Sequence, residues 1–577
     1  MLPVREGDES TIGGKMARTT TIILLGSLAV AFVASAAFGA DMPISAKVSV
    51  VKPGKLAKLV SKSDTGFTLP APGSAEDPTL HGATLTFFDT DLFGAGSASF
   101  TLDASGWAGL GQPAGQKGYR YKGQDDLSGG ACASVLIKGS VIKAVCKGAE
   151  VTLTPPFANT EGVLLGMPAG TASSLRYCAE LGGTEKKNDA KVMKRADAAA
   201  PATCPEPPSA FHPDDLIALA DDALLGRNND TPASAAARQL LIDRLSEFST
   251  GLDTTQSGDA AFKQPFTQSG KNGTNILAVI PGSELPNEYV MVGAHYDHLG
   301  SNCRVVNVGD TVCNGATDNA AGVTAVLAIG RGIAALPTPP RRSVVLALWD
   351  AEEDGLLGSS YYRQHPVVPL ANTVSYVNFD IQGANLLPSL KNFTFAVGAE
   401  TGVGLPALVD QATSGATLSY RRLSYIFGQA RSDYVNLIAG GVPTVFFSDS
   451  TGPCYHTNAD EVSVVDFAKL EQQTRSAYDL TVELANTASP PAFMSPNPAL
   501  ATFADAVNLD EVLTAGLADL ALFSPADQTH LMQIQAEIHG FVVDGEANFD
   551  SNDVTTMLLD TIDVVDLLTH TACDGFL

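Results

Sequence analysis

Short apolar stretches separated by turn residues dominate the chain after its N-terminus. Between residue 41 and about residue 205, stretches such as ATLTFF (83–88) and ASVLIKG (133–139) alternate with segments rich in Gly, Ser, Thr and Lys. Strand-length apolar runs with frequent turn signals are typical of a β-sandwich or a small barrel. We therefore predict a small β-rich N-terminal domain over residues 41–205, followed by an Ala/Pro-rich linker.

In the middle of the chain the apolar pattern changes to strands that alternate with helices. ASAAARQLLIDRLSEFS (233–249) has helical periodicity, whereas YVMVGAHYDH (289–298) and RSVVLALWD (342–350) have the unbroken apolar runs of buried strands. This alternation predicts an α/β fold with a mostly parallel sheet sandwiched by helices. We assign this domain to residues 206–490.

The last part of the chain, residues 491–577, is predicted to be helical and acidic. It contains no Lys or Arg, and DVTTMLLDTIDVVDLLTH (553–570) has the spacing of an amphipathic helix. The acidic residues are expected to form a solvated face of these helices.

The N-terminus, residues 1–40, carries the pattern of an export signal. An apolar run (19–40) follows Lys15 and Arg18 and ends in small residues. A membrane anchor is the alternative, because the run is nearly long enough to span a bilayer. We predict a signal peptide, so the mature protein would be secreted or periplasmic, with no stable membrane insertion after cleavage.

Charge and cysteine content narrow the class of protein. The 577 residues carry a net charge of −26, which argues against a nucleic-acid partner because phosphate binding requires a basic surface. Eight cysteines in an exported chain suggest disulfides. Short spacings favour three pairs, although spacing alone does not fix the connectivity: Cys132–Cys146, Cys178–Cys204 and Cys303–Cys313.

Residue types that bind metal ions gather where the predicted strands end. Seven of them follow a strand or open a helix: His295, Asp297, Asp318, Glu352, Glu353, Asp380 and His456. Each alone has a plainer structural role, such as a helix N-cap. In an α/β sheet, however, ligands bind beyond the carboxyl ends of the strands, so the fold should bring these side chains together. Imidazole and carboxylate ligands suit Zn²⁺.

Six ordered motifs resemble a known family. They are GAHYDHLG, NGATDNAAGV, AEEDGLLGS, NFDIQG, RSDYVNLIAGGVP and YHTNAD. In order and spacing they are similar to the co-catalytic di-zinc exopeptidases typified by secreted bacterial leucyl aminopeptidases, of which glutamate carboxypeptidase is a relative. The resemblance covers roughly residues 206–490.

The resemblance implies two Zn²⁺ ions per chain. His295 and Asp380 would hold one ion, Glu353 and His456 the other, and Asp318 would bridge both.

It also implies roles for residues around the ions. Glu352 would be the general base that acts on a metal-bound water, and Asp297 would hydrogen-bond His295. Tyr455 would stabilise the developing oxyanion, and the Asp318–Asn319 peptide bond would be cis.

Two positions depart from the family pattern, and one cysteine lies beside it. Tyr434 stands where relatives often have His, and Gln382 lies in a motif where relatives often have Met. Neither is a ligand position, so substrate preference is affected more than catalysis. Cys454 is expected to form a disulfide, with zinc ligation as the alternative.

The implied function is a secreted zinc-dependent exopeptidase, and specifically an aminopeptidase, acting on peptides or proteins. Three alternatives stay open: a carboxypeptidase or dipeptidase on the same scaffold, a one-zinc glutaminyl cyclase, and a non-catalytic binding protein. The complete set of five ligands argues against the last two.

Overall fold

The computed structural model describes residues 40–577 with gaps. The gaps are 64–65, 89–96, 124–131, 149–150, 152, 154, 158–160, 169–174, 203, 205–209, 337 and 497–500. The predicted signal peptide therefore lies outside the described residues, except for its last position. Among the described residues, no helix is long and apolar enough to cross a membrane.

The N-terminal part of the described chain is a two-layer β structure. Its elements are β1 (Ala40–Pro43), β2 (Ala46–Lys52), β3 (Leu56–Lys62), α1 (Pro78–His81), β4 (Ala83–Phe88), β5 (Ser97–Leu102), β6 (Trp107–Gly109), β7 (Tyr119–Lys122), β8 (Cys132–Lys138), β9 (Val141–Cys146), β10 (Gly162–Met167), β11 (Leu175–Glu180), β12 (Thr184–Asp189) and β13 (Val192–Ala198). One sheet has the order β1-β11-β10-β4-β5, and the other has the order β12-β13-β2-β3-β9-β8-β7-β6.

The two N-terminal sheets share one apolar core. Leu85 and Phe87 of one sheet belong to the same buried cluster as Leu59 and Val135 of the other. Alternate residues of β3 are buried, which is the pattern of a strand with one face on a core. Disulfides Cys132–Cys146 and Cys178–Cys204 lie in this part, so both predicted pairs are confirmed.

The middle of the chain contains a larger sheet with helices on both faces. Its elements are α2 (Pro213–Leu219), α3 (Pro232–Ser246), β14 (Thr250–Gly251), β15 (Lys263–Gln268), β16 (Lys271–Ile280), β17 (Leu285–His295), α4 (Ala321–Ala334), β18 (Arg342–Trp349), α5 (Leu357–Gln364), β19 (Thr373–Phe379), β20 (Phe393–Val397), β21 (Gly402–Val403), α6 (Leu405–Thr413), β22 (Ser419–Leu423), α7 (Tyr434–Ala439), β23 (Thr444–Ser448), α8 (Phe467–Asn486) and β24 (Ala492–Phe493).

This larger sheet is mixed, so the prediction of a mostly parallel sheet is wrong. Its order is β14-β16-β18-β17-β19-β23-β20-β22, with β15 paired to β16. The central pairs of β17 with β18 and β19, and of β19 with β23, are parallel, but β16 is antiparallel to β18 and β20 is antiparallel to β23. Only Ser269 and Gly270, both with positive φ, separate β15 from β16, and such a short connection permits only a hairpin.

The central strands are covered on both faces, as their continuous apolar runs predict. Every residue of β18 is buried. Apolar residues of α4 and α8 form the core on one face, whereas Tyr362 of α5 and Leu437 of α7 pack against Trp349 and its neighbours on the other. Because both faces of the sheet are covered, its side chains are accessible to a ligand only beyond the ends of the strands.

The C-terminal part folds as three helices on one end of this sheet. They are α9 (Phe503–Gly516), α10 (Pro525–Asp544) and α11 (Ser551–Leu568). Their apolar residues share one buried cluster with Phe395 of β20, Leu423 of β22 and Phe446 of β23. Cys303–Cys313, the third predicted disulfide, is confirmed, and Cys454–Cys573 joins the loop after β23 to the chain beyond α11.

Candidate metal centre

Adjacent parallel strands deliver the predicted ligands to one edge of the sheet. Strand β17 ends at His295, β18 ends shortly before Glu352 and Glu353, and β19 ends directly before Asp380. Because β18 and β19 flank β17 in parallel, their carboxyl ends meet at the same edge. His456 reaches this edge from the loop that follows β23.

Asp318 stands at the centre of the group, with one carboxylate oxygen toward each histidine. Its Oδ1 lies 3.2 Å from Nε2 of His295, and its Oδ2 lies 3.3 Å from Nε2 of His456. Nε2 of His295 is also 3.5 Å from Oδ1 of Asp380, and Nε2 of His456 is 3.1 Å from Oε2 of Glu353. The five predicted ligands therefore form two groups that share Asp318. The peptide bond between Asp318 and Asn319 is cis, as the resemblance implies.

The donor set fits a divalent cation. One donor atom each from His295, Asp318 and Glu353 lies within 4.8 Å of the others, and the same holds for His295, Glu352 and Asp380. Several buried carboxylates at such distances repel one another unless cations neutralise them. Imidazole nitrogen and carboxylate oxygen are the ligands that Zn²⁺ takes in proteins.

Two histidine interactions set which ring nitrogen is available to a metal. Nδ1 of His295 donates to the backbone oxygen of Asp297 at 3.1 Å, which leaves Nε2 toward Asp318 and Asp380. Burial lowers the pKa of His456, but its contacts with Asp318 and Glu353 outweigh that effect and raise the pKa to about 10. A bound cation displaces this proton, so metal affinity should increase with pH.

The carboxylate of Asp297 positions the two glutamates. Its Oδ1 accepts the backbone N–H of Glu352 at 3.1 Å, and its Oδ2 accepts that of Glu353 at 3.2 Å. The distance from Oδ1 to Nδ1 of His295 is longer, at 3.7 Å. Asp297 therefore acts mainly on the loop after β18, and its backbone oxygen is the closer partner of His295.

Glu352 and Tyr455 line the same cavity as three of the predicted ligands, Asp318, Asp380 and His456. The carboxyl group of Glu352 lies 3.9 Å from Nε2 of His295, and burial, together with nearby Asp380, raises its pKa well above the ordinary value despite the opposing effect of His295. The ring of Tyr455 stacks on that of His456 with centroids 3.7 Å apart. Burial raises the pKa of Tyr455, so its hydroxyl stays protonated.

The two departures from the family pattern are structural residues here. Tyr434 is buried, stacks on Phe446 at 4.8 Å and donates its hydroxyl to the backbone oxygen of Tyr425. The side-chain amide of buried Gln382 donates to the backbone oxygen of Phe447 at 2.8 Å. Both side chains therefore hold the scaffold behind the site.

Three residues around the site have no assigned role in the sequence analysis. Arg227 is completely buried and donates to backbone oxygens beside the ligands: those of Leu219, Tyr296, Asn314 and Gly315. Asp460 accepts the backbone N–H groups of Thr317 and Asp318. Nδ1 of His298 lies 2.7 Å from Oε1 of Glu353. In the sequence, Arg227 is the arginine of LLGRNNDTP, whereas His298 and Asp460 lie inside the motifs GAHYDHLG and YHTNAD, where they could have been noticed.

Comparison with known proteins identifies the domain that carries this site. Residues 275–481, which include all five predicted ligands, match the profile of peptidase family M28. The resemblance inferred from the motifs is confirmed for this segment, which is similar to the M28 peptidases. We call it the peptidase domain.

Among curated proteins, aminopeptidases and carboxypeptidases both occur as relatives. The chain is 27% identical to leupeptin-inactivating enzyme 1 of Streptomyces exfoliatus over 251 residues, which are 40% of this chain and 52% of that protein. It is 34% identical to aminopeptidase NAALADL1 of Rattus norvegicus over 116 residues, 19% of this chain and 14% of that protein. It is 30% identical to probable glutamate carboxypeptidase AMP1 of Arabidopsis thaliana over 206 residues, 33% of this chain and 26% of that protein. The chain thus spans about half, or less, of these relatives.

Solved structures overlap with part of the chain. The aminopeptidase from Aneurinibacillus sp. strain AM-1 is 20% identical, covering 39% of this chain and 51% of its own, with a TM-score of 0.32. The LapA aminopeptidase of Legionella pneumophila is 17% identical, covering 48% of this chain and 73% of its own, with a TM-score of 0.38.

Proposed function

We propose that the protein is an exported zinc aminopeptidase that removes residues from the free N-terminus of peptides or proteins. The observation that carries the proposal is the placement of Asp318 between His295 and His456, with one carboxylate oxygen toward each imidazole. A carboxylate that faces two imidazoles in this way is suited to bridge a pair of cations.

The proposed ligands follow from these distances. His295 and Asp380 would hold one Zn²⁺, Glu353 and His456 the other, and Asp318 both. When bound, the ions supply Lewis-acid polarisation of the substrate carbonyl and lower the pKa of water toward about 7.

Glu352 is the proposed general base. It lies in the cavity beside the ligands, and Asp297 fixes its backbone. Its carboxylate would take a proton from the attacking water and return it to the leaving amine as the peptide bond breaks.

Tyr455 is proposed to stabilise the oxygen on which negative charge develops. Its protonated hydroxyl can donate a hydrogen bond there, and stacking on His456 restricts the orientation of its ring.

The charge around the cavity supports an incoming ammonium group. The region that flanks it, residues 491–577, contains many acidic residues and no Lys or Arg.

A carboxypeptidase is the second candidate, because Arg431 also lines the cavity and could bind a substrate carboxylate.

Paired substrates separate the two candidates. On zinc-loaded full-length protein, leucine p-nitroanilide should be hydrolysed and its N-acetylated form should not. An N-blocked dipeptide with a free C-terminus should also resist hydrolysis. Turnover of the blocked dipeptide, with none of the free arylamide, would establish the carboxypeptidase instead.

Metal dependence tests the class of enzyme itself. A chelator should abolish hydrolysis, Zn²⁺ should restore it, and metal analysis of active protein should give two zinc ions per chain. Hydrolysis that survives chelation would contradict the proposed centre.

Export is supported by the disulfides. Four pairs join all eight cysteines, and disulfides persist in oxidising compartments. N-terminal sequencing of protein recovered from the culture medium or periplasm should begin near residue 40, whereas an intact N-terminus would contradict signal cleavage.

A further inference from the structure

An apolar cavity leads from the ligands into the space beneath the C-terminal helices. Asp318, Glu352, Asp380 and His456 line one end, and the cavity volume is about 160 Å³. Most other lining residues are Leu, Val or Phe, contributed both by the peptidase domain and by the C-terminal helices. The proposed reaction centre and this cavity are therefore continuous.

Helix α9 turns one face toward the cavity. Leu509, Val512, Leu513 and Gly516 line it, and their spacing of three and four residues places them on one side of a helix. Leu513 remains partly exposed although it lies inside this group of helices. Leu513 is therefore a cavity-lining residue that the packing of the helices does not bury completely.

Helix α11 contributes a second face with the same geometry. Thr561, Val564, Val565 and Leu568 line the cavity, again at helical spacing. Val564 and Val565 are partly exposed, whereas Ile562, on the other side of the helix, is 43% exposed to solvent. The inner face of α11 is thus left open toward the cavity.

Several contacts fix these helices in place over the cavity. The Cys454–Cys573 disulfide begins two residues before His456. Asp519, in the turn after α9, accepts the backbone N–H of Ser389 at 2.7 Å. Arg304 donates to the backbone oxygen of Thr569, the residue after α11, at 3.2 Å. A wall held at three places can discriminate between side chains by shape.

We propose that α9 and α11 form the wall of the pocket that receives a bulky apolar side chain of the substrate, on the residue next to the bond that is cleaved. The inference rests on the proposed peptidase function and names its substrate class. An apolar cavity of about 150 Å³ can hold a benzene ring. The present cavity therefore fits a phenylalanine or leucine side chain.

Substitutions on the two helices test this assignment. We compare kcat/KM for the phenylalanine, leucine and alanine p-nitroanilides on zinc-loaded full-length protein. The wild type should favour phenylalanine or leucine over alanine by about tenfold or more, as expected for an apolar pocket. Val564→Trp on α11 and Leu513→Trp on α9 fill the cavity and should each reduce the phenylalanine-to-alanine ratio by about tenfold.

Each variant has a control one or two residues away. Ile562→Trp on α11 and Thr514→Trp on α9 alter exposed positions and should leave the ratio unchanged. Circular dichroism and Tm establish that all four variants fold. If both cavity variants are folded and keep the wild-type ratio, the pocket does not include these helices and the inference is overturned.

A binding measurement separates this inference from the proposed activity. Free phenylalanine and alanine are products of either an aminopeptidase or a carboxypeptidase, so calorimetric binding of each does not depend on which reaction occurs. Phenylalanine should bind about tenfold more tightly than alanine to the wild type, and Val564→Trp should remove this preference. Equal binding of both amino acids to the wild type would overturn the inference even if the arylamides are hydrolysed.

Discussion

At the scale of single residues, Asp318 is the centre of the proposed metal site. Its two oxygens face different histidines, and its backbone N–H is held by Asp460. Within the described ranges Arg227 forms no ion pair, and it donates instead to the backbone oxygens of Tyr296 and Gly315 beside the proposed ligands. The centre therefore depends on residues that would never touch a metal.

Glu352→Gln should leave the zinc content unchanged and lower kcat by about 10²- to 10⁴-fold, because the amide cannot accept the proton of water. Steady-state kinetics and metal analysis of the purified variant measure both quantities. Asp354→Asn, which alters an exposed carboxylate two residues away, is the control and should keep wild-type turnover. A Glu352→Gln variant with near-normal kcat would rule out the assigned role.

Arg227→Met should lower the free energy of unfolding by about 3 kcal/mol or more, because several buried backbone oxygens lose their donor and each costs about 1–3 kcal/mol. Urea unfolding measures this loss, and zinc titration should show weaker binding since the loop before Asp318 is released. Arg341→Met, at a partly exposed arginine, should change stability far less. Comparable effects of the two substitutions would contradict the positioning role of Arg227.

At this scale the sequence could predict which residues meet, but not what supports them. His295, Glu353 and Asp380 follow apolar runs, and the ends of these strands can be recognised in the sequence. An α/β fold brings such strand ends to one edge of the sheet, so the proximity of the three side chains could be predicted. Arg227 lies in a polar turn sequence, where nothing distinguishes a buried arginine from an exposed one. Its burial depends on backbone oxygens from distant segments, which sequence spacing does not reveal.

At the scale of elements, the strands and helices were more predictable than their directions. Continuous apolar runs predicted the buried strands β17 and β18, but a run of this kind has no direction. Strand direction comes from the connections, and the two-residue turn at 269–270 makes β15 and β16 antiparallel. The predicted helix over 553–570 is observed as Ser551–Leu568, with Asp550 as its N-cap. The inner face of α11 lines a cavity beside the proposed ligands. This could not be predicted, because an amphipathic pattern shows which face of a helix is apolar but not what that face packs against.

Loss of the Cys454–Cys573 disulfide should destabilise the protein more than loss of Cys303–Cys313. Cys454–Cys573 joins residues that are 119 positions apart, whereas Cys303–Cys313 joins residues that are 10 positions apart. In the chain-entropy description the difference is roughly 2 kcal/mol. Denaturant unfolding of the two double-serine variants, Cys454→Ser/Cys573→Ser and Cys303→Ser/Cys313→Ser, measures it. A larger effect at the shorter loop would show that the crosslinks act through the folded state instead.

At the scale of the whole molecule, the apolar cores fall into separate groups. The cluster of the N-terminal sheets runs from Ile44 to Ala198, whereas the clusters of the remaining parts begin at Ala210. The five proposed zinc ligands all lie in the part of the chain that forms the second group. The apolar pattern of the sequence predicted several domains, but the boundaries at 205/206 and 490/491 stay predictions. The C-terminal helices share a core with the peptidase domain.

Separate cores predict at least two unfolding transitions in calorimetry. Zinc should raise the temperature of the transition that belongs to the peptidase domain and the C-terminal helices, because binding adds up to about 4 kcal/mol to the free energy of unfolding at a thousandfold excess over Kd. The transition of the N-terminal sheets should not move. A single transition that shifts as a whole with zinc would contradict independent cores.

The bridge between Cys454 and Cys573 has a practical consequence for anyone who prepares the protein. Material made in a reducing cytoplasm, or stored with thiol reagents, would lack the covalent tie beside His456 while keeping every amino acid of the reaction centre. Under the proposed pocket, such a sample would keep all the proposed zinc ligands and still lose its preference among side chains. Differences in selectivity between batches should therefore be traced first to their oxidation history.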